Sequence, residues 1–186
     1  MLFELGYTVG ESLLRGAASI DWEWCFAEAQ KRQSVYFDAQ PPGQLSHADK
    51  TIAETVGRNL ARSLSDWSRT RLQPLVIRPA IPGFEWVASG HGDFSLGHTL
   101  IEVKNTVKRF AAADYRQVAI YWLLSYASAI EGRGEEWHDF ILFNARSGEH
   151  VVMTYDAFLK VISSGRTKVE ILQIFQSLVG SRNEQR

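Results

Sequence analysis

The sequence predicts an α/β fold: a mixed central sheet flanked by helices, with helical additions at both ends. Three observations predict it. A long helical stretch precedes a group of short β-branched runs. A second strong helix separates those runs from two further strands, and helical periodicity returns after them. The order helix, three strands, helix, two strands, helices is not a clean run of βαβ units, so the sheet should mix parallel and antiparallel pairs.

Taken in order, SLLRGA predicts a short helix, and WEWCFAEAQKRQSVYF predicts a second one ending near Phe37. The prolines and glycine of AQPPGQLSH break structure. HADKTIAETVGRNLARSLSDWSRT then predicts a long helix, with Ile52, Val56, Leu60 and Leu64 at helical spacing and Ser46 as its cap. LQPLVIRPA reads as a strand, and IPGFEWVASG as loop leading into strand. GHGDFSL and HTLIEVKN read as a hairpin turning near Leu96–Gly97. RFAAADYRQVAIYWLLSYASAI is the strongest helix and stops before Gly132. It is a crossover of the kind that joins neighbouring parallel strands in the right-handed sense. DFILFNA and EHVVMTY are strands around Arg146–Ser147–Gly148, and DAFLKVI and KVEILQIFQSLV are helical. A single domain over 1–186 is expected, with a core over about 48–154, a helical N-terminal extension over 1–45 and a helical C-terminal extension over 155–180.

Apolar residues at 45% and charged residues at 22% match a globular soluble chain, and no run of about 18 apolar residues is present to cross a membrane. MLFELGYTVGESLLRG has no basic region before an apolar core, so no secretory signal is expected. Cys25 is the only cysteine, which rules out an internal disulfide, a thiolate zinc site and a cysteine-held iron–sulfur cluster. A reducing, cytoplasmic compartment is the expectation. Lys plus Arg (20) balance Asp plus Glu (21), so nucleic-acid binding would have to rest on a local basic patch.

The charged hairpin carries the chemistry. Strand side chains alternate faces, so Glu102 and Lys104 share one face, while Ile101 and Val103 share the other, which should be the core. With Leu96–Gly97 as the turn, Ser95 pairs with His98 and Asp93 with Leu100, which sets Asp93 diagonally across from Glu102. Two carboxylates that close repel, and a divalent cation cancels the repulsion. Hard oxygen ligands suit Mg²⁺ or Mn²⁺, and the Val103 carbonyl adds another oxygen. Lys104 on the same face is suited to orienting a water or offsetting charge that grows on a phosphate. The competing reading is a salt-bridged, solvated strand face.

Downstream, Gln117 and Tyr121 sit four apart on one helix face. Lys108, Arg109 and Arg116 are candidates to meet a phosphate backbone. Upstream, Glu54 lies among Ala53, Val56 and Gly57, in surroundings that suit close packing on the sheet.

Asp93 in GHGDF, Glu102 and Lys104 in IEVKN, and Gln117 and Tyr121 in QVAIY together resemble the PD-(D/E)XK nuclease superfamily, with RecB-like exonucleases the nearest branch. These residues match the family's metal-binding aspartate, its acid-x-lysine strand and the Gln-x-x-x-Tyr helix of that branch. Glu54 is similar to the acidic residue often carried on the first core helix. The resemblance covers about residues 48–145 and implies a restriction-endonuclease-like core. It also implies phosphodiester hydrolysis with Mg²⁺ or Mn²⁺, in DNA or alternatively RNA. Asp93, Glu102 and Val103 would be metal ligands, and a homodimer mate or a helicase/nuclease-type complex would help hold the substrate. The proline that names the motif is absent before Asp93. The alternative function is a catalytically silent module on the same fold that binds DNA or a partner protein.

Cys25, in an aromatic-rich helix, is expected in the core rather than as a nucleophile, and the five histidines form no spaced metal-binding pair. No GxxxxGK[ST] phosphate loop is present.

Overall fold

The computed structural model describes residues 2–34 and 44–180. The helices are α1 (Leu2–Leu14), α2 (Trp22–Gln33), α3 (His47–Arg71), α4 (Ala112–Ile130), α5 (Tyr155–Ile162) and α6 (Lys168–Gly180). The strands are β1 (Leu75–Ile77), β2 (Ala80–Ile81), β3 (Gly90–His91), β4 (Phe94–Leu96), β5 (Thr99–Lys104), β6 (Asp139–Asn144) and β7 (His150–Thr154). Five strands form one sheet in the order β1-β4-β5-β6-β7, and β2 and β3 pair by themselves. The stretch that read as loop leading into strand therefore contributes to this small second sheet.

The main sheet is mixed, as expected. β1 and β4 run antiparallel, as do β4 and β5. β5 and β6 run parallel: His138 N–H donates to the His98 carbonyl at 2.9 Å, and Ala145 N–H donates to the Lys104 carbonyl at 2.8 Å, so both chains ascend together. β6 and β7 are antiparallel, with Asn144 N–H donating to Glu149 O and Tyr155 N–H to His138 O. The α4 crossover thus joins adjacent parallel strands. Helix, strands, crossover helix and strand follow one another as in a restriction-endonuclease-like core.

Two compact units divide the chain. The first comprises Met1–Leu72, Val103–Arg109 and Phe143–Glu149. Its long helix α3 starts where Ser46 predicts. Ser46 Oγ accepts Asp49 N–H at 3.1 Å and Asp49 Oδ2 accepts Ser46 N–H at 3.0 Å, which is a reciprocal capping box. Ala53, Val56, Gly57, Leu60 and Leu64 make its buried stripe. Farther along, Trp67 meets Phe143 edge-on at 5.2 Å, and Asn59 Nδ2 donates to the Ala145 carbonyl at 3.0 Å.

Helix α1 packs against α3 through glycines. A Cβ on Gly10 would lie 2.4 Å from Leu60 Cδ2, and one on Gly57 would lie 2.4 Å from a Val9 methyl and 2.9 Å from the Gly10 nitrogen. The backbones approach this closely only without those side chains. Gly6 and Gly10 lower helix propensity, which is why the sequence predicted helix only from Ser12 on. Packing overrides propensity here, and the helix begins at Leu2. Leu5, Val9, Cys25, Ala29 and Ala53 form the core of this unit. Glu11, 1% exposed, is paired with Arg32 at 2.7 Å, as a buried charge must be. The predicted end of α2 near Phe37 lies outside the described residues.

The second unit comprises Gln73–Glu102, Phe110–Leu142 and His150–Arg186. Its core gathers Leu100 of β5, Val118 and Trp122 of α4, Phe140 and Leu142 of β6, and Tyr155 and Phe158 of α5. An alanine at the start of α4 has no oxygen to cap with, so Asp114 reaches back to accept Ala111 N–H at 2.7 Å. Among the described residues no helix is long and apolar enough to cross a membrane.

Candidate functional site

Glu102 lies in β5 and is 4% exposed. The sequence placed the core on the Ile101–Val103 side and left the other side to decide. Both sides are covered, because Thr99 through Val103 are all buried. Leu100 and Glu102 on one face are as buried as Ile101 and Val103 on the other, so neither face of the strand is wet here. By alternation Glu102 projects from the same side as Leu100, and Leu100 belongs to the core that α4 makes with Val118 and Trp122. The carboxylate therefore faces the side on which the crossover helix packs.

The hairpin turn lies one residue later than expected, which shifts the pairing by two residues. Leu96 pairs with Thr99, Ser95 with Leu100 and Phe94 with Ile101, and the turn is Gly97–His98. Gly97 supplies the positive φ (53°) at the first turn position. Continued by one residue, this register sets Asp93 directly opposite Glu102 instead of diagonally across from it. The pairing with β1 does continue that far, since Arg78 N–H donates to the Asp93 carbonyl at 2.9 Å. Directly opposed and diagonal residues on antiparallel strands share a face, so in either register the two acids would lie on one face. Asp93 itself sits in a bend just before β4 and is half-buried.

Lys104 ends β5, two residues beyond Glu102 and on the same strand face, and is half-buried. The carbonyl of Val103, the third oxygen expected for a metal, lies between them in the chain. Among the described residues no group of three or more His, Cys, Asp or Glu side chains is assembled as a metal site.

On α4, Gln117 and Tyr121 are joined directly. Gln117 Nε2 donates to the Tyr121 hydroxyl at 3.0 Å, and both side chains are half-buried beside the buried Val118 and Trp122. The spacing of four residues read from the sequence is realised as a contact. Arg116, also on α4, is exposed.

Glu54 belongs to the first unit, where its carboxylate is 41% exposed and paired with Arg58 at 2.7 Å. Lys108 and Arg109 also belong to that unit and are exposed.

Tyr155 was not singled out in the sequence. Its hydroxyl donates to the Val118 carbonyl at 3.1 Å. Its pKa is driven well up, by burial first and then by the negative charges of Asp139 and Glu102, so it stays a neutral donor. A tyrosine at the junction of a strand and a helix gives no motif to find. Arg146 was noted only as part of a turn, and no linear pattern ties it to Lys108 and Arg109.

No protein-family model matches the chain, and no curated protein is significantly similar to it.

Proposed function

We propose that this chain is a metal-dependent nuclease of the PD-(D/E)XK type, RecB-like in its helix motif, hydrolysing phosphodiester bonds in DNA. One observation carries the reading: Glu102 is a buried carboxylate on a central strand, one residue beyond the Phe94–Ile101 pair, and extending that pairing by one step would reach Asp93. Buried carboxylates concentrate at functional sites. Asp93, Glu102 and the Val103 carbonyl would hold the metal. A bound Mg²⁺ or Mn²⁺ supplies Lewis-acid polarisation of the phosphodiester and lowers the pKa of water.

The protein's own groups do the rest. Lys104 orients the attacking water and offsets the charge that builds on the phosphoryl oxygens. Gln117, held by Tyr121, presents an amide to the substrate or to the water. Lys108, Arg109 and Arg116 bind backbone phosphates without reading sequence. The near-neutral net charge means that this grip is local, and a second copy or a helicase-like partner would extend it.

The test compares the purified chain with its Glu102→Gln variant on linear, circular and single-stranded DNA, with Mg²⁺ or Mn²⁺. Metal-dependent cutting that falls at least about 100-fold in the variant supports the reading. The circular substrate separates endonuclease from exonuclease action. Equal cutting by both proteins sinks it. Mn²⁺ that does not bind by calorimetry, with DNA binding retained, would make the chain a silent module on a nuclease fold.

A further inference from the structure

The loop that follows β5 and the turn between β6 and β7 enclose a cleft of about 390 Å³ in the first unit. Its walls include Thr106, Lys108, Arg109, Arg146, Ser147 and Glu149. The lining thus carries three cationic residues and one carboxylate. Lys108, Arg109 and Arg146 are all exposed. Among the described residues, the ion pairs found engage other cations, among them Arg15, Arg32, Arg58, Arg69, Arg133 and Lys168.

The cleft is built on a fixed base. Asn144, 3% exposed, bonds both backbone groups of Thr106 and also accepts Arg146 N–H at 3.2 Å. One buried amide therefore ties the two cationic segments together. Thr106 Oγ1 accepts Lys108 N–H at 3.0 Å, which fixes the loop two residues on. The single acid is restrained as well, since Ser147 Oγ donates to Glu149 Oε2 at 3.2 Å. Gly148, at φ 79°, lies in the tight turn that follows Arg146.

We propose that this cleft is a phosphate-binding subsite, with the Arg109 and Arg146 guanidinium groups and the Lys108 ammonium as its ligands. Two guanidinium forks and an ammonium on a rigid base suit the oxygens of a phosphate, and the net excess of positive charge favours an anionic ligand. The phosphate can belong to a nucleic-acid backbone or be free. Only the choice of DNA as the probe rests on the nuclease reading. The binding needs no metal and no cutting, so the two ideas fail separately.

The experiment uses the full chain in EDTA, with a fluorescent 20-base-pair DNA duplex titrated at several NaCl concentrations and inorganic phosphate followed by ³¹P line broadening. The proteins are the wild type, Arg146→Ala and Glu149→Gln. Both substitutions are at exposed positions, and thermal melts by circular dichroism check that the fold persists. For a backbone phosphate, Arg146→Ala weakens duplex binding several-fold and lowers the slope of log K against log salt by about one. Glu149→Gln then tightens binding. For free phosphate, duplex binding is unchanged while Arg146→Ala abolishes the line broadening seen with wild type. A wild type that binds neither probe, or an Arg146→Ala protein identical to it with both, overturns the proposal.

Discussion

Asn144 holds Thr106 by both of its backbone groups: Thr106 N–H donates to Asn144 Oδ1 at 3.3 Å, and Asn144 Nδ2 donates to the Thr106 carbonyl at 2.8 Å. The amide ends β6 and reaches the loop that leaves β5. It does for these two parallel strands what a further rung of backbone pairing would do, at the point where the chain turns away and no rung is available. Alanine at 144 removes these bonds and the one from Arg146 N–H. Each is worth about 0.5–1.5 kcal/mol, and groups left unpaired add to the loss. Asn144→Ala should therefore lower the free energy of unfolding by about 2–3 kcal/mol in urea denaturation. A loss under about 0.5 kcal/mol would show that water replaces the clasp without penalty.

The glycines between α1 and α3 make a graded prediction. A methyl at Gly10 clashes hardest with the far end of Leu60, which can rotate, and presses more lightly on its Cβ at 3.1 Å, whereas a methyl at Gly57 meets a β-branched valine and the Gly10 backbone nitrogen, which cannot give way. Alanine in a helix gains about 1 kcal/mol over glycine, and overpacking costs about 1–3 kcal/mol. Gly57→Ala should be clearly destabilising, and Gly10→Ala near neutral or mildly so. Thermal melts of the two variants decide this, and the reverse order would mean that the helices separate instead of straining.

These two sites also mark where the sequence could and could not be read. Ser46 announced the start of α3 because a cap is a local device, with its hydrogen-bond partner three residues away. The Gln117–Tyr121 contact was legible for the same reason, since helical spacing is arithmetic. The glycines of α1 misled because their purpose lies on another helix, and propensity knows nothing of it. The hairpin turn was misplaced by one residue, and the pairing by two, because strand alternation fixes which residues share a face along one strand but leaves the pairing between strands to the turn, where Gly97–His98 competed with Leu96–Gly97. Burial of Glu102 was invisible for a related reason: alternating charge reads as a wet face, and what covers that face is the core that Leu100 shares with α4.

Cys25 gives the pH prediction. The thiol is fully buried against the first unit's core, and its pKa is pushed from 9.0 up to about 11, chiefly by burial and then by the charge of Asp21, which caps the same helix. The folded chain thus holds the thiol proton more tightly than the unfolded chain does. Its contribution to stability is complete below pH 9 and is lost as pH rises through about 11. Burial and charge also raise Tyr155, and the partners Asp156 and Glu136 raise Lys168 despite its partial burial, so the whole protein should weaken in alkali. The difference between wild type and Cys25→Ala isolates the thiol, because the other two groups remain in both. That difference should be constant from pH 6 to 8.5 and shrink above pH 9. Native protein at pH 8 should resist a thiol reagent that labels the urea-unfolded chain at one equivalent. A difference that stays flat up to pH 11, or rapid labelling of the native chain, would place the thiol in contact with water and leave the α2 packing without its buried anchor.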